Sequence, residues 1–373
     1  MTINSKASIY ELQAAFLMSD GCVAIVDDTN KLIGLFGQKE NLFVTTKMVD
    51  QYDKGIKIDD VINKEYSKLI LTENFKKDKK VFFETTGFSY VPIVTKEGKF
   101  IRFEKNLSRS FSIEKEMAEK KKIALKWNEI DKIECSLEEK TYRCLICDNE
   151  IDTTIAEKKI CVCLFGGGKL VRYKCQNCEG ITGPLKMLNL SKEELAEDYI
   201  QHYGIFQEGD TTEDEIRTFF KLNPQIGKKY LNYGCGGEWS KSLIELRKQG
   251  YDVYGYEPYA TSSNVDYVFT QYSQMEGMKF DGIFSNNLIE HLSNPVKELM
   301  IMKSFLQEEG VMAHATACYE YLYPYTRFHL CFPIGKSAEI MFQRAGLELV
   351  ERSETILHGD KQICIVVKNQ NMK

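Results

Sequence analysis

A chain of 373 residues, 43% apolar and 28% charged, has the composition of a soluble protein of two or three domains. Its net charge of −5 and pI near 5.8 exert no pull toward nucleic-acid phosphates or an anionic membrane, and no apolar run reaches the roughly 18 residues that span a bilayer. Met1 to Gln13 shows no basic segment followed by an apolar one, so no signal peptide is expected and the protein reads as cytoplasmic. Twelve cysteines in that setting point to metal where they cluster and to buried apolar side chains where they scatter.

A helix is expected from Ser8 to Met18. An internal repeat follows: Val23-Ala-Ile-Val-Asp-Asp-Thr-Asn-Lys-Leu-Ile-Gly-Leu35 aligns without a gap on Val91-Pro-Ile-Val-Thr-Lys-Glu-Gly-Lys-Phe-Ile-Arg-Phe103. Each copy alternates, turns at polar residues (Asp27 to Asn30, Lys96 to Gly98) and alternates again, which is the pattern of a β-hairpin. Two such units would bury their faces against each other. A further helix is expected from Lys39 to Tyr52. Residues 1–110 resemble a pair of CBS domains, which implies an adenosine-type ligand between the copies or a homodimer through this unit. The ligand motif of those domains appears only in part, as Gly34-Leu-Phe-Gly37-Gln-Lys-Glu40, and is missing from the second copy.

Ser112 to Lys126 are rich in Glu, Lys and Ala and read as a solvated helix, so 111–139 is expected to be a helical linker. The next unit, 140–190, opens with Cys144-Leu-Ile-Cys147 and closes with Cys175-Gln-Asn-Cys178. Two such knuckles on hairpin turns present four thiolates tetrahedrally, the geometry of structural Zn²⁺. The 27 residues between the pairs exceed the usual span because an extra hairpin is inserted. Cys161 and Cys163 lie on a strand away from the knuckles and are not expected to be ligands. Gly166-Gly-Gly168 reads as a flexible turn.

From residue 191 the chain turns α/β. Ser191-Lys-Glu-Glu194 is a capping box, so a helix should carry Tyr199, His202 and Tyr203, and another is expected near Thr212 to Leu222. Lys229-Tyr-Leu-Asn-Tyr233 is an apolar strand running into Gly234-Cys-Gly236-Gly237-Glu238-Trp239 and a helix from Ser240 to Gln249. A second strand ends at Glu257, where a carboxylate accepts from both hydroxyls of a ribose. A third, from Phe280, breaks into Asn286-Asn287 and then Glu290-His291-Leu-Ser-Asn-Pro295. Ligands of parallel sheets gather at these strand ends.

This ordered set resembles the class I methyltransferases; the resemblance covers 185–373, and the domain is placed at 191–373. The resemblance implies a Rossmann-like α/β fold, S-adenosylmethionine as cofactor, and Tyr233, Gly234, Gly236, Glu257, Asn286 and Asn287 around it. The loop departs from the G-x-G-x-G pattern at Glu238, while Trp239 stands where a nicotinamide-binding loop needs its third glycine.

A zinc ribbon fused ahead of such a domain is similar to the sugar methyltransferases of antibiotic and surface-polysaccharide pathways. That likeness implies a histidine base, His329 or His291, with Glu290 also in the catalytic set, because a sugar hydroxyl must lose its proton as the methyl arrives. His329 lies in Thr316 to Pro333, an aromatic stretch expected to cover the acceptor. Tyr199, His202, Tyr203, Tyr319 and Tyr325 are expected to line the acceptor pocket, and Arg327 to meet a substrate pyrophosphate. The expectation is an O-methyltransferase for a nucleotide-linked sugar, a heptose being one choice, in capsule or surface-polysaccharide synthesis. An RNA methyltransferase would need a basic face near the ribbon, yet acids are frequent between Glu138 and Glu157. A non-catalytic adenosyl-ligand sensor stays open. So does an Mg²⁺-assisted reaction through acids such as Glu290 and Glu320, for which no motif spacing speaks.

Overall fold

The computed structural model describes residues 1–19, 21–37, 57–86, 90–105, 110–134, 141–203, 210–236, 240–260, 265–357 and 360–370. The N-terminal repeat folds as two like halves. One is a sheet of β1 (Thr2–Asn4), β2 (Cys22–Val26) and β3 (Leu32–Gly37); the other joins β4 (Leu69–Ile70), β5 (Tyr90–Val94) and β6 (Phe100–Lys105). In each, a parallel pair is followed by an antiparallel hairpin, and each hairpin carries a register shift at the same place, Ile25/Val26 and Ile93/Val94. The turns meet reciprocally: the Leu32 N–H donates to the Gly98 carbonyl, and the Phe100 N–H to the Asn30 carbonyl, each at 3.0 Å. The helix Ile9–Met18 starts from a capping box of Ser8 and Glu11. Gln38–Glu40 and the helix expected from Lys39 to Tyr52 lie outside the described residues.

The helix Ser110–Glu134 corrects the expectation of a solvated linker. Ile123, Ala124 and Trp127 are buried, and Trp127 packs with Met187, Phe328 and Leu330. Charge dominates its composition, but one face carries enough apolar surface to dock.

The cysteine-rich unit contains a hairpin of β7 (Thr141–Arg143) and β8 (Glu150–Asp152), then β9 (Lys158–Val162), β10 (Lys169–Lys174) and β11 (Ile181–Thr182). Its second sheet runs β17-β11-β10-β9, where β17 (Cys331–Phe332) comes from the far end of the chain. The unit is therefore sewn into the C-terminal domain. It also shares a core with the helix Lys336–Arg344: Ile146, Cys144 and Cys178 cluster with Ala338, Met341 and Phe342, and the Arg344 guanidinium donates to the Ile146 carbonyl at 2.6 Å.

The glycine run is a packed turn rather than a loose one. Gly166 and Gly168 have positive φ, and a methyl group at Gly167 would lie 2.7 Å from Arg327 Cδ and 2.8 Å from Cys163 Sγ. Asp131 and the buried Lys186 hold it from outside, Lys186 donating to the Gly167 carbonyl at 2.6 Å.

The largest sheet has seven strands in the order β14 (Val268–Phe269), β13 (Asp252–Tyr256), β12 (Lys229–Tyr233), β15 (Phe280–Asn286), β16 (Leu306–Thr316), β19 (Asp360–Asn369) and β18 (Leu347–Leu357). Neighbours are parallel from β14 to β16, and β19 runs antiparallel to both of its neighbours. The strand order reverses between β12 and β15, and the crevice beyond the C-terminal ends of these strands is where such sheets bind ligands.

Candidate active site

Three strand ends build the donor side. Gly234 and Gly236 take φ of 82° and 74° directly after β12, and the N–H groups of Gly234 and Cys235 both donate to the Tyr256 carbonyl (2.8 and 3.2 Å). A side chain on Gly234 would meet Leu288 at 3.0 Å, so this turn needs glycine on both counts. Glu257 follows β13, and its Oε2 accepts from the Gly236 N–H at 3.0 Å and its Oε1 from the Tyr259 N–H at 3.2 Å. Burial raises its pKa, while these two donors favour the carboxylate. A carboxylate clamped to the glycine turn at a strand end is placed to receive ribose hydroxyls. Asn286 ends β15 and Asn287 follows it, and both side-chain oxygens accept from Gln362 Nε2 (2.7 and 3.4 Å). Gly237, Glu238 and Trp239 lie outside the described residues.

Tyr233 departs from its expected role. Its phenol is buried and shared with Tyr272 Oη at 2.6 Å and with the Glu298 carboxylate, so the side chain is spent within the fold and only its backbone leads into the glycine turn.

The acceptor side gathers residues from four segments. His291 and His329 meet edge to face with ring centroids 4.8 Å apart. His291 Nδ1 is 2.9 Å from Tyr199 Oη, and the ring is also hydrogen-bonded by the Phe328 backbone. Burial pushes its pKa down to about 4. His329 Nδ1 lies 2.8 Å from the Tyr323 carbonyl, and a carbonyl can only accept. Nδ1 therefore carries the proton and Nε2 keeps its lone pair. Burial, then His291 and Arg172, hold the His329 pKa well below the usual histidine range, so the ring is neutral at pH 7. Cys318 Sγ stands 3.4 Å from the same Nδ1.

Glu290, buried beside them, accepts from Thr316 Oγ1 at 2.5 Å. One ligand-type atom from each of Glu290, His291 and His329 fits within 4.8 Å. Glu320 is elsewhere, in an ion pair with Lys361 at 3.0 Å, so the two acids considered as a metal clamp do not act together. Tyr199 stacks on Phe328 (4.2 Å) and on Tyr259 (5.6 Å), which is 55% exposed beside Glu257 and links the two sides of the cleft.

Three further acceptor residues differ from expectation. Arg327 is fully buried: its Nε donates to Asp198 Oδ2 at 2.7 Å, Nη1 to the Phe165 carbonyl, and the guanidinium lies over Trp127 and Phe328. A cation consumed by a buried carboxylate cannot also meet a pyrophosphate. Tyr319 is fully buried in the core and offers no face to a sugar. His202 is 3% exposed between Phe165 and Phe328, its pKa pushed down to about 3 by burial, then by Arg327 and His291; it packs behind the site. Tyr325 is half-buried against Phe165 and Tyr323. The side chain of Tyr203 lies outside the described residues.

Sequence reading missed Arg172. It is fully buried on β10 and donates to three carbonyls of the acceptor loop: Nη1 to Pro324 (2.6 Å), Nη2 to Thr326 (2.7 Å) and Nε to His329 (3.0 Å). The signal was present as parity, since Leu170 and Arg172 share the inward face of one strand.

The four knuckle cysteines converge, with Sγ atoms of 144 and 178 at 3.7 Å, those of 147 and 175 at 3.6 Å, and all four within 4.8 Å. The knuckles are near-copies. Cys144 and Cys175 each accept an N–H from the residue four positions on (Asp148, Glu179), both of which have positive φ. The Cys178 thiol's hydrogen bond lowers the Cys144 pKa to about 6, toward the thiolate that a metal requires. This donor set suits a closed tetrahedral site.

Among known proteins, the family described as a methyltransferase domain matches residues 207–352. Comparison with curated proteins finds no match. Among solved structures, a Burkholderia thailandensis 1,6-didemethyltoxoflavin-N1-methyltransferase with bound S-adenosylhomocysteine is similar at 11% identity and TM-score 0.40, covering 54% of this chain and 96% of that one. A TehB-like SAM-dependent methyltransferase from Corynebacterium glutamicum is similar at 21% identity and TM-score 0.32, over 47% and 97%. CBSX2 in complex with AMP is similar at 16% identity and TM-score 0.24, over 28% of this chain and 81% of that chain. The chain carries a class I S-adenosylmethionine-dependent methyltransferase domain, built on the seven-stranded sheet.

Proposed function

We propose that the protein is an O-methyltransferase acting on a hydroxyl of a nucleotide-linked sugar, in the synthesis of a capsule or other surface polysaccharide. The observation that carries this reading is His329: a neutral imidazole whose Nδ1–H is spent on the Tyr323 carbonyl, leaving Nε2 as a base. S-adenosylmethionine supplies a methyl group on a sulfonium, a good leaving group that departs as the thioether S-adenosylhomocysteine. The protein's work is then to align an acceptor oxygen and take its proton. His329 Nε2 receives that proton as the new oxygen–methyl bond forms. His291, held by Tyr199 and the Phe328 backbone, positions His329 from the side. Half-buried Tyr325 and exposed Tyr259 offer aromatic faces to a sugar ring. The nucleotide handle rests on the sequence resemblance, since Arg327 is not available to bind it.

The four cysteines would hold structural Zn²⁺, which fastens the two knuckles. The N-terminal CBS-like pair is read as a dimerising unit; a monomer in analytical ultracentrifugation at all concentrations would exclude that role.

The experiment is turnover with a panel of nucleotide sugars and RNA, scored by S-adenosylhomocysteine release. Product with a nucleotide sugar supports the reading. Product with RNA alone, or tight cofactor binding without product from any acceptor, overturns it in favour of an RNA enzyme or an adenosyl-ligand sensor.

A further inference from the structure

The acceptor loop holding His329 has little regular structure of its own. Between the turn at Ala317–Tyr319 and β17 it contributes no strand or helix. Such a loop would ordinarily be the least ordered part of the site, yet a base must be placed to a fraction of an ångström. What fixes it comes from a different unit, 157 residues away in sequence.

We propose that Arg172 is the positioning residue through which the cysteine-rich unit sets His329 for methyl transfer, making that unit a working part of the active site. The inference rests on the reading of His329 as the base. Its three hydrogen bonds reach carbonyls at 324, 326 and 329, so one planar fork spans the loop and ends on the backbone of the base itself. Among the described residues no carboxylate pairs with this guanidinium within 4 Å. The charge is instead stabilised by loop carbonyls, by the Cys161 thiol at 3.6 Å and by the face of Phe332 at 5.1 Å. A buried cation without a carboxylate partner is costly to leave unsatisfied, so the loop conformation that supplies those carbonyls is favoured over any that withdraws them.

The same loop is tied by three more hydrogen bonds from the same unit. Cys161 Sγ donates to the Pro324 carbonyl, and the Leu164 N–H donates to the Tyr325 carbonyl at 3.0 Å. The Gly183 N–H donates to the Leu330 carbonyl, also at 3.0 Å, while β11 pairs with β17. The sheet thus grips the loop at 324, 325, 326, 329 and 330. Cys175, the first residue of the second knuckle, begins three residues after Arg172, so the knuckle and the fork lie on one continuous strand end. Lysine has no planar fork and would reach one carbonyl of the three.

The test needs no acceptor. Full-length wild type, R172K and R172M are labelled with ¹⁵N-histidine and their ring tautomers read by long-range ¹H–¹⁵N correlation, with H329N to assign the signal. Wild type should show His329 as a single Nδ1–H tautomer. R172M should show tautomer averaging at His329 alone, while affinity for S-adenosylhomocysteine stays within about twofold and zinc content is unchanged. R172K should fall between the two, and it serves if R172M fails to fold. Once an acceptor is found, R172M should lower kcat by about tenfold to a hundredfold with the KM for S-adenosylmethionine unchanged, and R172K should recover part of it. An unaltered His329 tautomer in both variants would overturn the proposal. Failure of every nucleotide sugar to react would overturn the sugar reading and leave the tautomer result standing.

Discussion

The two sides of the cleft are built on opposite plans. The donor side is local: β12, its glycine turn and Glu257 come from 29 consecutive positions, and the sheet itself aims them. The acceptor side is assembled from the helix Lys192–Tyr203, the loop after β15, the loop before β17, and β10 of another unit. Generic chemistry, binding one cofactor, is met by a compact motif. Specific chemistry, in the proposed reading the deprotonation of one hydroxyl, is met by long-range packing that fixes a loop.

If the plans are separable, each side should fail alone. The largest effect is expected from His329→Asn, which removes the proposed base: turnover should drop by about 10²–10⁴ while calorimetric affinity for S-adenosylhomocysteine stays put. Glu257→Ala should do the reverse, weakening that affinity by about 10- to 100-fold with the His329 tautomer intact. Equal loss of both properties in either variant would break the comparison.

A chelator that removes the metal proposed for the four cysteines sharpens it further. Turnover should fall by about tenfold or more, because β10 and β11 lose their anchor, while cofactor binding persists. Loss of both together would mean that the unit supports the whole fold rather than the acceptor side.

Acid should act on the shared scaffold. His202 is pushed down to about 3 beside Arg327 and His291, and His314, whose Nδ1 lies 2.8 Å from Ser285 Oγ against Phe342, also to about 3. Their folded pKa values lie below the unfolded value near 6.5, so the unfolded chain binds more protons between these limits. Stability is full above pH 6.5 and declines as pH falls toward 3, by up to about 1 kcal/mol per unit for each ring; thermal melts across this range would show it. The smallest change is Gly167→Ala. Its methyl group meets Arg327 and Cys163, and a cost of about 1–3 kcal/mol is expected in denaturant titration.

The contrast in plan also decides what the sequence could reveal. The hairpin repeat, the Ser191–Glu194 capping box, the strand running into Gly234 and the two Cys-x-x-Cys pairs are short-range patterns, and each reappears where its spacing placed it. His291 and His329 were singled out separately, and their contact depends on a fold that spacing does not encode. Arg172, Asp198, Trp127 and Tyr259 were missed because their roles come from partners 71 to 157 residues away, or from stacking across the cleft. Arg327 misled for the same reason: its pyrophosphate-binding chemistry is spent on Asp198, which nothing near it in sequence announces. The linker helix misled through composition, its charged faces hiding the one that buries Trp127.

The central claim is that a donor held at Glu257 faces a base held by another unit. The direct measurement is a crystal structure with S-adenosylhomocysteine bound, from which the distance between the ligand sulfur and His329 Nε2 is read. A methyl group and one acceptor oxygen must fit between them, so the account predicts about 6–8 Å with the ribose on Glu257. A sulfur well beyond that span, or one facing away from His329, would contradict it.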